Sequence, residues 1–273
     1  MKKTNSKIEK FLDQVYNKDI MELLESLPDK SIDCIYADPD YNAGIRYNKK
    51  SYSKSLNDYI AWCISWSKEC KRVLKDNGNF FIINYPRNNA YLRVEYLDKN
   101  FYSVDDYAWI YNTNIGHSKH KFTTAHRSIL HCTKSKDNKF YKDHVAVEYK
   151  NPGDKRVMKL LKEGEKGRTP YSWFYFDLVK NVSRSKTFHS CQIPEDLSKT
   201  LIKSCTNPND VVLILFGGSG SEVVVCQETN RRYIAAEIDK KYHDLILRRI
   251  ELMGKVPEEL RLMNNGRGKA KSL

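Results

Sequence analysis

Two rhythms of apolar and polar positions run along the chain. The first is a short, continuous apolar run closed by turn residues: "IDCIYA" at 32–37, "NFFIINY" at 79–85, "VVLILF" at 211–216 and the middle of "NRRYIAAEID" at 230–239. Runs of this kind predict strands buried on both faces, as in a parallel sheet covered by helices. The second rhythm is helical. In "DYIAWCISWSKECKRVLK", Ile60, Cys63, Ile64, Cys70, Val73 and Leu74 fall on one face. "MELLES", "NNAYLRVEYLDKN", "PEDLSKTLIKSCT" (opened by Pro194, a good first-turn residue), "EVVVCQET" and "KYHDLILRRIELM" read the same way. "DDYAWIYN" and "HRSILHCTK" add two strands, separated by the polar "TNIGHSKHKFTTA". Strand and helix alternate, which predicts an α/β fold with a doubly wound, mostly parallel sheet. Residues 1–12 read as a polar lead-in, 42–57 as a basic, Gly-containing mobile loop, and 254–273 as a flexible basic tail.

The rhythm fails between residues 134 and 188. Periodicity is weak there, 14 basic residues stand against 7 acidic ones, and "TPYSWFYFD" contributes an aromatic cluster. The chain therefore divides into 1–133, a basic insertion at 134–188, a second α/β stretch at 189–253, and the tail at 254–273. The whole chain of 273 residues carries 47 Lys and Arg against 34 Asp and Glu, a net charge of +13. Such an excess favours a polyanionic partner, most simply nucleic acid. Basic residues interleaved with aromatics suit contact with its backbone and bases.

Cysteine and hydropathy narrow the setting. The seven cysteines are odd in number and contain no C-x-x-C pair, which points to reduced thiols in a cytoplasmic protein. The opening "MKKTNSKIEKFLDQ" lacks the apolar stretch of a signal peptide. No run approaches the roughly 18 apolar residues of a membrane span. His117, His120 and His126 lie close together, but no cysteine or carboxylate pair completes a metal site.

Two strand ends carry the candidate chemistry. The strand at 32–37 breaks on Asp38-Pro39-Asp40-Tyr41-Asn42, residues with backbone reasons to turn. The strand at 211–216 runs into Gly217-Gly218-Ser219-Gly220 and then a helix, and the following strand ends on Glu237 and Asp239. Strand, Gly-rich turn, helix and an acidic strand end form the grammar of a nucleotide site: glycines admit close approach, and the acid accepts from ribose hydroxyls. A third glycine of the dinucleotide fingerprint is missing, since Val223 stands there, so a smaller nucleoside cofactor is favoured over NAD.

Taken together, Asp38-Pro39-Asp40-Tyr41 and Phe216-Gly217-Gly218-Ser219-Gly220 resemble the catalytic D/N/S-P-P-Y/F and cofactor F-x-G-x-G motifs of the S-adenosylmethionine-dependent DNA amino-methyltransferases. Their order, catalytic motif first and cofactor motif near the C-terminus, resembles the β class, over roughly residues 14–252. "TTAHRSILHCTKS" is similar to the family's T-x-x-H-E-x-I-L strand, with Arg127 in place of Glu. "HSCQIPEDLSKTLI" is similar to the helix before its cofactor motif. The chain departs from the pattern at Asp40 (usually Pro), Ile214 (usually Asp) and Glu222 (usually a small hydroxyl residue), the last two near the expected cofactor.

The resemblance implies a Rossmann-like methyltransferase domain, split into a catalytic half (1–133) and a cofactor half (189–253), with 134–188 as the target-recognition insertion. It implies transfer of a methyl group from S-adenosylmethionine to the N6 of adenine in double-stranded DNA by base flipping. N4 of cytosine and a catalytically inactive DNA-binding relative are the alternatives. A planar exocyclic amine is a poor nucleophile, and a carboxylate and a carbonyl that accept its two N–H groups would make it more tetrahedral. Asp38 would supply the carboxylate, Pro39 the carbonyl, and Tyr41 an aromatic wall for the flipped base. Asp38 favours adenine, since cytosine-acting members more often carry Ser. The cofactor would be held by Asp19 near its adenine, Glu237 at its ribose, Phe216, Gly217, Gly218, Ser219 and Gly220 along its length, Asp38 beside its methyl, and His189 and Gln192 at its methionine end. A cognate restriction endonuclease and a second copy of the chain are the further partners the resemblance suggests.

Overall fold

The structure, a computed structural model, describes residues 6–42, 44, 46–47, 50–51, 54–112, 119–180 and 183–261. His117, most of the 42–57 loop's centre and the end of the basic tail lie outside the described residues. In chain order the elements are α1 (Ser6–Glu9), β1 (Gln14–Tyr16), α2 (Ile20–Ser26), β2 (Ile32–Ala37), β3 (Arg46–Tyr47), β4 (Lys50–Ser51), α3 (Leu56–Val73), β5 (Leu74–Asn84) and α4 (Pro86–Leu92). A π turn at Arg93–Leu97 then leads into α5 (Asp98–Asn100), followed by β6 (Ser103–Ile110), β7 (His126–Thr133), α6 (Lys155–Lys162) and β8 (Trp173–Tyr175). The chain ends through α7 (Glu195–Cys205), β9 (Val211–Ile214), α8 (Ser221–Glu228), β10 (Arg232–Ala236) and α9 (Lys240–Glu251).

The large sheet has the strand order β1-β10-β9-β2-β5-β7-β6-β8. β1, β10, β9, β2 and β5 run parallel, and β7 is antiparallel to both its neighbours. Side chains of the central strands alternate between two cores. Ile35 and Ala37 pack with Leu23, Leu24, Trp66 and Phe80 beneath α2 and α3. Cys34 and Tyr36 face Leu197, Leu201, Val223 and Ile246 beneath α7, α8 and α9. The Rossmann-like, doubly wound sheet expected from the apolar runs is the one observed.

The topology positions the site. β2 and β9 are parallel neighbours, with Tyr36 opposite Ile214. From β2 the chain crosses through α3 to β5 on one side, while from β9 it crosses through α8 to β10 on the other. The loops leaving β2 and β9 therefore part at a switch point, where an open α/β sheet forms its ligand crevice.

Three local readings change. Residues 6–16 are more than a polar lead-in: Ile8, Phe11 and Leu12 are buried, and β1 pairs with β10 at the sheet edge. Strand β5 begins directly after α3. Leu74 pairs with Ile32 and Asn79 with Cys34, so the intervening Lys75–Gly78 segment bulges from the ladder. Within the basic segment, β8 pairs with β6 and extends the sheet, a connection too short and too distant in sequence to show in local periodicity.

Candidate active site

Asp38 follows β2 directly and Phe216 lies two residues past β9, so the parallel register sets the Asp38–Tyr41 loop and the Gly-rich loop side by side. Between them lies a cavity of about 260 Å³. Asp19, Asp38, Pro39, Asp40 and Tyr41 line it together with His189, Phe216, Gly217, Gly218, Ser219, Glu222 and Glu237. Residues separated by as much as 218 positions thus meet at one crevice, including most of those picked out in the sequence.

Asp38 is half-buried at the cavity wall, and its Oδ1 accepts from the Tyr41 hydroxyl at 2.6 Å. Burial pushes its pKa up to about 8; the Tyr41 hydroxyl and Arg127 pull downward, and Glu222 adds to the rise. The loop is held by its backbone. Tyr59 donates its hydroxyl to the Asp40 carbonyl at 2.5 Å, and Asn88 donates to the Tyr41 carbonyl at 2.9 Å. Asn84 joins the two, donating to the Tyr59 oxygen and accepting from Asn88. Asp40 accepts from the Asn42 N–H, which braces Asn42 at φ 53°. Asp40 therefore does at the turn what a second proline would do by stiffness.

Arg127 sits behind Tyr41. Its guanidinium lies 4.2 Å from the Tyr85 ring centre, 5.2 Å from that of Tyr41 and 5.4 Å from that of Tyr111. Tyr85 meets Tyr41 edge-on. A cation among three rings stiffens the wall of the loop. The exchange of Arg for Glu in the strand that carries it was the one sequence sign of this cluster; Tyr59, Asn84 and Asn88 had none.

At the other end, Glu237 accepts from the Gly218 N–H and the Asp239 N–H, each at 2.8 Å. Each oxygen keeps further lone-pair capacity for a hydroxyl donor. Asp19 caps α2 by accepting from Met21 N–H, and it also borders the cavity. Gly218 has φ 52°, and a Cβ there would lie 3.3 Å from the His189 ring. His189 is buried against Tyr242, and burial lowers its pKa to about 3, so its imidazole is neutral. The glycine loop, the Glu237 carboxylate with its spare lone pairs and the neutral histidine are groups that would fit a nucleoside with an amino-acid tail.

Three expected positions fall elsewhere. Gln192 does not border the cavity; its Oε1 accepts from the Thr187 N–H and hydroxyl, and its Nε2 donates to the Ser185 carbonyl, so it ties its own loop. Gly220 is the N-cap of α8 at φ 79°, packed on Ile246 and away from the lining. Ile214, a departure expected near the cofactor, is a core residue packed among Tyr36 and Val223. Glu222 does line the cavity. Among the described residues, no group of three His, Cys, Asp or Glu is placed to hold a metal ion.

Comparison with known proteins matches residues 32–248 to a family model described as DNA methylase, of the N6/N4 methyltransferases. The type II methyltransferase M.HinfI of Haemophilus influenzae is 31% identical over 278 residues, covering 94% of this chain and 73% of that one. The DNA adenine methyltransferase YhdJ of Escherichia coli K12 is 27% identical, over 87% of this chain and 82% of the relative. Among solved structures, the PvuII DNA methyltransferase, described as cytosine-N4-specific, aligns with a TM-score of 0.68 at 20% identity, over 90% of this chain and 86% of that one.

Proposed function

The chain belongs to the DNA methylase family of N6/N4 amino-methyltransferases, and within it we propose that the base modified is adenine, at N6. Members of this family act on DNA with S-adenosylmethionine, which supplies an activated methyl group when bound. The observation that carries the choice of base is the Asp38 carboxyl at the head of the catalytic loop, where cytosine-acting members more often carry Ser. The 27% identity to a protein named as an adenine methyltransferase supports the same reading. N4 of cytosine is the second reading, favoured by the fold likeness to a cytosine-N4-specific enzyme.

Each of the chain's own groups has a task in this reaction. Asp38 accepts one N–H of the extruded amine and the Pro39 carbonyl accepts the other, which draws the nitrogen lone pair out of conjugation. As the amine arrives, the Tyr41 hydroxyl yields its place on Asp38, and its ring, backed by Arg127 and Tyr85, forms the wall for the base. Glu237 accepts from the ribose and Asp19 borders the purine, while Phe216 to Ser219 set the distance to Asp38. Exposed lysines and arginines of 134–188 contact the DNA backbone. A cytoplasmic setting, a cognate endonuclease and a homodimer belong to this reading as well. The seven cysteines are free thiols, which fits a reducing compartment.

Incubation with duplex DNA and methyl-labelled S-adenosylmethionine, followed by digestion to nucleosides, tests this. Label on adenine is the expected result. Label on cytosine replaces the base, and cofactor binding without transfer makes the chain an inactive relative.

A further inference from the structure

The protein carries a charge of +13, yet its cavity is acidic: Asp19, Asp38, Asp40, Glu222, Glu237 and Asp239 line it against Lys18 and Lys54. Most of these acids have work of their own. Asp19 and Asp239 cap helices, Asp40 braces a turn, and Glu237 gathers two backbone N–H groups. Glu222 differs. It is 4% exposed, in the first turn of α8, and its Oε1 accepts from the Ser198 hydroxyl at 2.9 Å. Ser198 in turn shares a hydrogen bond with the Tyr36 hydroxyl at 3.1 Å, so the carboxyl is held by a fixed chain of side chains. Among the described residues it is in no ion pair; the nearby buried Arg249 is engaged by Glu195 and the Ser219 carbonyl. A buried carboxyl with no ion pair among the described residues is neutralised either by a proton or by a cation, and one that faces a ligand cavity is placed to take that cation from the ligand.

We infer that Glu222 is the acceptor for the α-ammonium of the cofactor's methionine end, a charged contact that the small hydroxyl residue usual at this position could not supply. The inference rests on the family reading of the cavity. The sulfonium cannot donate a hydrogen bond, whereas the ammonium has three donors and Glu222 keeps free lone pairs. The departure from a small hydroxyl residue at this position then strengthens cofactor binding instead of impairing it. A further consequence is linkage to protons. Burial raises the Glu222 pKa to about 7, with Ser198 and Arg249 opposing and Glu195 adding to the rise. The groups that face it are Tyr36 from β2 and Asp38 in the loop after it, Ser198 and Glu195 from α7, Cys226 on its own helix and Arg249 from α9. A cation binds the ionised form, so affinity rises as pH rises through about 7.

The test is calorimetric binding of S-adenosylhomocysteine, which keeps the ammonium, and of methylthioadenosine, which lacks the amino-acid end. Wild type is compared with Glu222→Gln and Glu222→Thr, with circular dichroism as the fold check. The expected result is a loss of about ten- to a hundredfold in affinity for S-adenosylhomocysteine in both variants. Methylthioadenosine should bind all three proteins alike, and the Gln variant should lose the part of the pH dependence centred near 7 even though Asp38 still titrates. Equal losses for both ligands, or no loss for either, would overturn the assignment. If wild type binds neither ligand, the family reading of the cavity fails instead.

Discussion

Replacing Asp38 with Asn keeps the shape of the catalytic loop and removes one charge. Before the base arrives, the carboxyl has a pKa of about 8, raised by burial. Holding it ionised at pH 7 therefore costs roughly 1.4 kcal/mol. As the amine attacks, positive charge grows on its nitrogen about one hydrogen bond from the carboxylate. Two unit charges about 4 Å apart at an effective dielectric near 20 attract by about 4 kcal/mol. The attraction exceeds the cost of ionisation, so under the proposed mechanism the carboxylate would be the working form in the transition state. Removing one such preorganised partner slows comparable reactions by about two to three orders of magnitude. The prediction for Asp38→Asn is a loss of that size in the single-turnover rate of methyl transfer to duplex DNA. S-adenosylhomocysteine has a neutral sulfur, so its affinity, read by calorimetry, should change less than about threefold. A variant within tenfold of the wild-type rate, or one whose product affinity falls as far as its rate, would refute the electrostatic role.

Three further outcomes rest on the same geometry. Gly218→Ala places a side chain at φ 52° and against His189, which costs about 1 kcal/mol in backbone strain alone; cofactor affinity should fall about fivefold and the melting temperature by about 2–4 °C, and an unchanged isotherm would show that the loop adapts. Tyr59→Phe leaves the Asp40 carbonyl and the Asn84 amide without their shared hydroxyl, worth about 1–3 kcal/mol, so transfer should slow more than cofactor binding weakens; equal effects would mean the network serves stability only. Asp33 is buried, and although burial pushes its carboxyl up, Lys139, Lys75 and the Val211 N–H outweigh it and hold the pKa below the ordinary value. Its stabilisation is therefore present above the unfolded pKa near 4 and fades as pH drops through the lower folded value. Urea unfolding of wild type and Asp33→Asn should differ by about 3 kcal/mol at pH 7, with the gap narrowing as pH falls below the unfolded value near 4, and a gap independent of pH would exclude the ion pairs as its source.

The parts of the fold and site that were legible in the sequence are those that one continuous stretch specifies. "IDCIYA" is apolar but for Asp33, which Lys75 and Lys139 pair, because both faces of β2 are covered, and it occupies the residues its pattern indicated. The Gly-rich loop could be read because a left-handed turn against a histidine ring admits little else. What local pattern left unread depends on partners far along the chain. Strand β1 is short, and its pairing with β10 spans 220 positions. Gln192 lies in a promising stretch, yet only the return of Thr187 and Ser185 shows that it binds its own loop. Ile214 looked like a defect in a motif, but its side chain alternates away from the crevice into the core. Glu222, on the helix after the Gly-rich loop, turns into it.

The basic segment also bears on engineering by exchange of parts. Its early residues are riveted to the end of the sheet opposite the crevice and to α7: Lys139 donates to Asp33 at 2.8 Å and to Asp210 at 3.1 Å, Asn79 donates to the Lys139 carbonyl, and Tyr141 N–H donates to the Ser204 carbonyl of α7. Cutting at 134 would strand a buried carboxylate at the start of β2 without this partner. Under the proposed reading of this segment as the recognition element, a graft that imports a foreign one should keep 134–144, β8 and the Ser185–Thr187 anchor of Gln192 as chassis, which leaves residues 145–171 as exchangeable cargo.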